Sequence, residues 1–363
     1  MRNFLTTLIA SLLLAGCNAG TGSQTGFIVL GDMHYDRIEN HDLAWLAEQG
    51  DDLRQVTTEY TVFTNNFWSD FTALLRERSS KEDIDVVLQL GDLSEGLAGT
   101  EALADQMAEC LFRAIDSVGF EVPVIITKGN HDITGPGAEE AYKRIYLPNM
   151  ARLAGLESLP SADYSKELDD VLFVCFDPWN RTGDNLEKLE KNLSASNAKY
   201  KFVMTHEPVI PINERCWHLL RSKPEKRNEL LRIIAENNAI VLCAHMHLYS
   251  VVRRDTEWGP VVQILVNSVI RDRNMTEPKE VKTEYGEVLA LNVPDWKPET
   301  MEERCKWLRE ETPYVKYFKQ MDLPGYGIMK IDHKNVDVVF EYYAGFSEEP
   351  YDVVRMSEVF SIK

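Results

Sequence analysis

Aspartate and histidine residues follow five short apolar segments of this sequence. The first three segments lead into GDMH, GD and GNHD, and the last two lead into HEP and HMH. Carboxylate and imidazole groups suit divalent first-row metal ions, and the D-x-H and H-x-H spacings put two side chains on one face of an extended segment. The pattern indicates a metal site. The candidate residues are Asp32, His34, Asp92, Asn130, His131, Asp132, His206, His245 and His247.

The histidines are few, and their positions are uneven. The chain has 8 histidines, of which five lie at these segment ends, leaving His41, His218 and His333 unassigned. One H-x-H pair alone would be weak support, since a single histidine after a strand is usually a satisfied, partly buried side chain. Ordinary burial does not explain five such positions together.

The elements that position these residues alternate between strands and helices. Short β-branched segments bounded by turn residues predict buried strands over 27–30, 86–90, 124–127, 171–176, 202–205 and 240–244. Helices are predicted over 63–78, 101–118, 139–153, 185–193 and 226–237. The alternation predicts an α/β fold with an at least partly parallel sheet, whose ligand groups gather at the carboxyl ends of the strands.

Beyond residue 248 the pattern becomes that of hairpins and indicates a second sheet. Strands are predicted over 249–254, 260–267, 327–332 and 336–343. Residues 269–323 are highly charged and contain four prolines and one predicted helix over 299–310. We interpret 269–323 as an insertion or lid, not as a separate domain.

The order of the motifs, D-x-H, G-D, G-N-H-D, a single histidine and H-x-H, resembles the calcineurin-like metallophosphoesterase family over residues 27 to about 268. The resemblance implies two mixed β-sheets packed as a sandwich flanked by helices, with 27–363 as the catalytic domain. It also implies a phosphoesterase that hydrolyses phosphomonoesters or phosphodiesters.

The resemblance further implies a role for each candidate residue. One metal ion would be held by Asp32, His34, Asp92 and His247, and the other by Asp92, Asn130, His206 and His245. Asp92 would bridge the two ions, which could be Mn, Fe or Zn in divalent or trivalent form. Paired ions clamp a phosphate oxygen and lower the pKa of a bound water, so that hydroxide attacks the phosphorus. His131 would be the general acid for the leaving alcohol, and Asp132 its orienting partner.

Two positions differ from the family pattern, and one nearby cation is a candidate substrate contact. Ala244 stands where the family usually has Gly before H-x-H. Glu95 stands where purple acid phosphatases have a metal-binding Tyr, so no purple iron site is expected. The guanidinium group of Arg181 could donate hydrogen bonds to a substrate phosphate, or Arg181 could be an ordinary exposed loop arginine.

The first residues are typical of a bacterial lipoprotein signal. Residues 1–16 have one early arginine, an apolar stretch too short to span a membrane and a small-residue ending, LAG, before Cys17. Acylation of Cys17 would anchor the exported protein to a membrane, in the periplasm or at the cell surface. The alternative is a conventional signal peptide cut nearby. Residues 17–26 are small, polar and rich in glycine, which predicts a flexible tether.

Charge and cysteine content exclude other classes of function. Lys and Arg number 39 against 58 Asp and Glu, a net charge of -19, so no nucleic-acid-binding surface is expected. No C-x-x-C pair supports a zinc ribbon or a redox site, and any pairing among Cys110, Cys216 and Cys305 stays open. The alternative to an enzyme is a cell-surface binding lipoprotein that keeps the metal site without turnover.

Overall fold

The structure, a computed structural model, describes residues 24–216 and 218–359. The predicted signal peptide, Cys17 and most of the predicted tether lie outside these residues. Within the two described ranges, no helix is long and apolar enough to cross a membrane.

Both sheets and their helices follow one another along the chain. The strands are β1 (Gln24–Leu30), β2 (Ile84–Gln89), β3 (Val124–Ile126), β4 (Tyr164–Leu168), β5 (Val171–Cys175), β6 (Tyr200–Met204), β7 (Ile240–Cys243), β8 (Tyr249–Thr256), β9 (Gly259–Leu265), β10 (Val281–Lys282), β11 (Val315–Met321), β12 (Gly325–Asp332), β13 (Asp337–Ala344) and β14 (Asp352–Arg355). The α-helices are α1 (Leu43–Leu46), α2 (Asp52–Gln55), α3 (Thr61–Asn66), α4 (Trp68–Lys81), α5 (Glu101–Val118), α6 (Ala138–Ala141), α7 (Leu147–Leu153), α8 (Asn185–Ala195), α9 (Pro224–Glu236), α10 (Val288–Leu291), α11 (Met301–Glu311) and α12 (Met356–Val359). Single π-helical turns at Val56–Tyr60 and Tyr142–Tyr146 join α2 to α3 and α6 to α7.

Each sheet combines parallel and antiparallel pairs. The first sheet has the order β14-β13-β12-β1-β2-β3, and the second has the order β10-β11-β8-β9-β7-β6-β5-β4. Strands β1, β2 and β3 are parallel to one another, as are β5, β6, β7 and β9. The predicted α/β class with two mixed sheets is therefore confirmed.

The two sheets pack face to face through aromatic side chains. Phe27 of β1 lies edge-on to Phe173 and Phe202 of the second sheet, with ring centroids 5.2 and 5.1 Å apart. Tyr249 of β8 stacks on Tyr342 of β13 at 4.0 Å. All five side chains are buried, and such pairs contribute roughly 0.5–1.5 kcal/mol each beyond their area burial. These contacts fix the position of one sheet relative to the other.

Helices cover the outer faces, and α5 illustrates why they form. Its buried residues recur every three or four positions, among them Ala104, Leu111 and Ile115, and so line one face. The Thr100 side chain accepts the Leu103 N–H at 3.3 Å, and Gly119 ends the helix with a left-handed φ of 69°. This amphipathic helix packs its buried face against the first sheet.

The strand pattern misses polar edge strands. The ten predicted strands are found with bounds shifted by a few residues, but β4, β10, β11 and β14 were not predicted. Strand β4 reads YSKEL and β11 reads VKYFKQM, so their apolar alternation is weak. Pairing with an inner strand, not the local pattern, makes these segments extended.

Part of 269–323, the segment interpreted as an insertion or lid, belongs to the second sheet. Strand β11 pairs along its length with β8 and therefore belongs to the second sheet. Helix α11 buries Cys305 and Leu308 in the outer core of that sheet. Its last residue, Glu311, forms ion pairs with Arg227 of α9 and Arg254 of β8 at 2.9 and 2.6 Å. Strand β11 and helix α11 are thus fixed parts of the second layer.

Candidate metal centre

The candidate ligands lie on loops that follow β1, β2, β3, β6 and β7, so both sheets contribute to one site. Backbone hydrogen bonds join these loops: His34 N–H donates to the Asp92 carbonyl at 2.9 Å, and Ala244 N–H donates to the His206 carbonyl at 2.9 Å. Four candidate residues have left-handed φ values, which cost about 1–3 kcal/mol each and are typical of functional sites. They are His34 (42°), Asp92 (49°), His245 (71°) and His247 (52°).

Glycines allow the loops after β2 and β3 to approach each other. A Cβ atom on Gly129 would lie 2.0 Å from the Asp92 N atom and 2.1 Å from its Oδ1 atom. Gly91 has a φ of 93°, and a Cβ there would lie 2.6 Å from His206 Nδ1. The glycines of GD and GN are therefore needed for close packing of the ligand loops.

The first cluster contains Asp32, His34 and His247, whose potential ligand atoms lie within 4.8 Å of one another. The Nε2 atoms of His34 and His247 are 3.1 Å apart. The Nδ1 atom of His34 is 2.6 Å from Glu95 Oε2, so Nδ1–H donates there and Nε2 keeps its lone pair for a metal ion. This arrangement is typical of a metal-binding histidine.

The second cluster contains Asp92, His206 and His245. His206 Nε2 lies 3.0 Å from Asp92 Oδ2 and 3.2 Å from His245 Nδ1, while its Nδ1–H donates to the Leu90 carbonyl at 2.8 Å. Asp92 Oδ2 also lies 3.8 Å from His34 Nε2 of the first cluster. Asp92 is therefore positioned between the two clusters.

Two unpaired oxygen atoms fit a bound cation. Asp32 Oδ2 and Asn130 Oδ1 are shielded from solvent and have no hydrogen-bond partner among residues 24–216 and 218–359. Leaving a buried acceptor unsatisfied costs about 1–3 kcal/mol, and coordination of a cation would remove that cost. Together with the imidazole and carboxylate groups, these atoms form a donor set that fits divalent metal ions.

Burial and neighbouring charges shift the pKa values of the candidate ligands. Burial and the neighbouring His206 lower the pKa of His245 to about 3, and burial together with Arg271 lowers that of His247 to about 3. Burial raises the pKa of Asp32 to about 7. Burial would lower the pKa of His206, but Asp92 and Asp32 outweigh it and raise the value to about 9.

Glu95, not Asp132, contacts the ring of His131. His131 Nδ1–H donates to the Glu95 backbone carbonyl at 2.8 Å, and the Glu95 carboxylate lies 3.5 Å away. The Asp132 carboxylate instead accepts N–H groups of Gly129, Leu93 and Ser94 at 2.8, 3.0 and 3.1 Å. The structure thus corrects the predicted role of Asp132, which fixes the ligand loops.

Sequence reasoning missed two other neighbours of the site. Tyr60, in a π-helical turn, stacks on the His34 ring with centroids 4.2 Å apart. Lys128, directly before Gly129, is buried and forms an ion pair with Asp177. Nothing in the local pattern around Tyr60 indicates the site, whereas Lys128 could have been noticed from its place at the end of β3.

Arg181 lies at the rim of a cavity of about 270 Å³ beside the clusters. Trp179 lines the same cavity, and its ring lies 6.0 Å from that of His206. The Arg181 side chain is 81% exposed and forms an ion pair with Glu139. Both earlier interpretations of Arg181 are therefore compatible with its position.

A family model described as calcineurin-like phosphoesterase matches residues 26–249, which include every candidate ligand. The chain belongs to the calcineurin-like phosphoesterase family. The match confirms the resemblance found from the motif order. No curated protein sequence matches the chain significantly.

Solved structures of low sequence identity share the fold of this calcineurin-like phosphoesterase. GAP50, described as the anchor in the inner membrane complex of Plasmodium, is 12% identical with a TM-score of 0.53, covering 92% of this chain and 88% of its own. PhoD is 12% identical with a TM-score of 0.52, covering 91% and 68%. A dimetal phosphatase from Danio rerio is 12% identical with a TM-score of 0.52, covering 91% and 98%.

Proposed function

We propose that this calcineurin-like phosphoesterase hydrolyses phosphomonoesters or phosphodiesters with the help of two metal ions. The observation that carries the proposal is the pair of adjacent clusters, Asp32/His34/His247 and Asp92/His206/His245. Asn130 would add its unpaired oxygen to the second cluster. Two ions held there would supply Lewis acidity, neutralise phosphate charge and activate water.

The protein's own groups would position the substrate and move protons. His131 is proposed to protonate the leaving alcohol, because its Nδ1–H is held by the Glu95 carbonyl and its Nε2 atom is left for the substrate. The side chain is 25% exposed, so a substrate can reach it. Burial opposes its protonation, but Glu95 and Asp92 outweigh burial and raise the pKa of His131 well above its ordinary value. Arg181 is proposed to contact the substrate phosphate from the rim of the cavity.

Activity assays on the purified protein test this proposal. The protein is reconstituted with Mn, Fe or Zn and assayed with nitrophenyl phosphate and bis-nitrophenyl phosphate. Hydrolysis of at least one ester, abolished by chelation and by Asp92→Asn, is expected. Absence of hydrolysis of both esters with every metal would contradict the proposal.

A binding protein that keeps the metal site without turnover is the second candidate. The neighbour that favours it is GAP50, whose fold is shared and whose description is that of an anchor. The two candidates differ at His131. An enzyme loses turnover in His131→Ala, whereas a binding protein is inactive in both forms with the same metal content.

We also propose that the protein is exported and anchored through Cys17. The sequence of residues 1–17 supports this, and export would put the metal centre outside the cytoplasm. Labelled palmitate should enter the wild-type protein in a bacterial host and be absent from Cys17→Ser. Equal labelling of both would reject acylation at Cys17.

A further inference from the structure

A cleft of about 560 Å³ lies between α4 and α5, and none of the candidate metal ligands lines it. Its rim carries three arginines, and its lining contains no acidic residue. The arginines are Arg37, Arg76 and Arg113. The chain has a net charge of -19, so three arginines in a cleft without an acidic lining residue are unexpected.

Two of the three arginines have no acidic partner. Within the described part of the chain, neither Arg37 nor Arg76 forms an ion pair. Arg37 Nε–H donates to the Tyr35 hydroxyl at 3.0 Å, which leaves both terminal nitrogens of its guanidinium available. Arg113 contacts Cys110 Sγ at 3.0 Å and Glu109 more weakly at 3.4 Å. Donors for an anion are therefore present on both sides of the cleft.

The acidic residues of the two helices, except Glu109, pair with cations that do not line the cleft. On α4, Glu77 pairs with Lys81 and Asp70 pairs with Arg273. On α5, the acids Asp105 and Asp116 pair with Arg144 and Arg152. Glu109 pairs only with Arg113 of the cleft, so no carboxylate of α4 or α5 forms an ion pair with Arg37 or Arg76.

The floor of the cleft is buried and partly polar. Tyr35 and Trp68 are buried and lie edge-on with centroids 4.7 Å apart. The Tyr35 hydroxyl accepts a hydrogen bond from Arg37, while the Ser69 hydroxyl adds hydrogen-bonding capacity. A guanidinium fork binds phosphate or sulfate through parallel hydrogen bonds, and three such forks around one cleft suit more than one anionic group.

We propose that this cleft binds a small molecule that carries at least two phosphate or sulfate groups. None of the candidate metal ligands lines the cleft, so the ligand would be a regulator or a second recognition element and not the substrate. Its selectivity comes from Arg37 and Arg76, which form no ion pair with the residues of the described part of the chain.

Calorimetric titration of the metal-loaded protein tests the proposal with two probes, inorganic tripolyphosphate and a sulfated heparin disaccharide. The double variant Arg37→Gln/Arg76→Gln is compared with Arg232→Gln/Arg309→Gln, which removes the same charge from arginines paired elsewhere. Saturable binding should weaken about tenfold for each cleft arginine removed and stay nearly unchanged in the control. The tighter probe identifies the anionic group preferred.

A second variant tests the cleft without touching its arginines. Ala73 is exposed on α4 inside the cleft, and Ala73→Glu introduces a carboxylate at a good helical position. Loss of binding at an unchanged melting temperature supports the site. Absence of saturable binding to wild type, equal weakening in the charge-matched control, or full binding by Ala73→Glu would overturn the proposal.

Discussion

The Nδ1 atom of His34 lies 2.6 Å from Oε2 of Glu95, and both side chains are buried. This contact holds the His34 ring so that Nε2 faces the first cluster. The same glutamate accepts a hydrogen bond from His131 through its backbone carbonyl at 2.8 Å. Glu95 therefore joins a candidate metal ligand to the candidate proton donor.

Removal of the Glu95 carboxylate should weaken metal binding. Orienting partners of metal-bound histidines typically contribute about 10–100-fold to affinity, so we expect a loss of this size in Glu95→Ala and a smaller one in Glu95→Gln. Competition with a chelating dye measures it. Asp36→Asn is the matched control, because Asp36 is also a buried carboxylate on a histidine, His41, outside the clusters. Similar losses in both variants would contradict an orienting role for Glu95.

Substitution of His131 should lower turnover while the metal content stays constant. General acids contribute roughly 10²–10⁴-fold, and the loss in His131→Asn should be larger for alkyl phosphates than for nitrophenyl phosphate, which has a better leaving group. Steady-state kinetics and metal analysis measure the two quantities. His333→Asn, in the turn between β12 and β13, should behave as wild type. Loss of metal from His131→Asn would reject a purely catalytic role.

Metal binding should release protons and tighten as pH rises. Without metal, the pKa of His206 is about 9 and that of Asp32 about 7, and both groups must lose their protons to bind a cation. Metal binding should release one proton at about pH 8 and about two near pH 6. The affinity for the metal ion should therefore rise about tenfold per pH unit for each proton released. Calorimetry in buffers of different ionisation enthalpy counts them. Equal heats in all buffers would exclude this linkage.

Loss of the Glu311 carboxylate should destabilise the second layer. Glu311→Ala leaves Arg227 and Arg254 buried without their partner, which costs about 3–5 kcal/mol in the free energy of unfolding. Burial raises the pKa of Glu311, but the two arginines outweigh it and lower the value, so the stabilisation is present above the ordinary pKa and is lost as pH falls through the folded one. Urea unfolding should give different free energies of unfolding for Glu311→Ala and the neighbouring Glu310→Ala near neutral pH. The two values should become equal in acid. No difference near pH 7 would contradict this.

The sequence by itself determined the types and order of the candidate ligands and most of the elements that carry them. Strands that bury both faces have continuous apolar patterns, and a loop that follows such a strand is visible in the chain as a change from apolar to polar residues. The motif order was enough to indicate the family. The predicted metal ligands from Asp32 to His247 lie in or beside the two clusters.

Only the tertiary structure decided which side chains meet across the chain. Glu95 lies 61 residues from His34, and Asp132 contacts amides of a loop 38 and 39 residues away, so no local period records either contact. Strand β11 is extended because it pairs with β8, although its own pattern is polar. The arginine cleft likewise exists because packing brings α4 and α5 together. Local patterns report burial of single elements, whereas contacts depend on how distant elements pack.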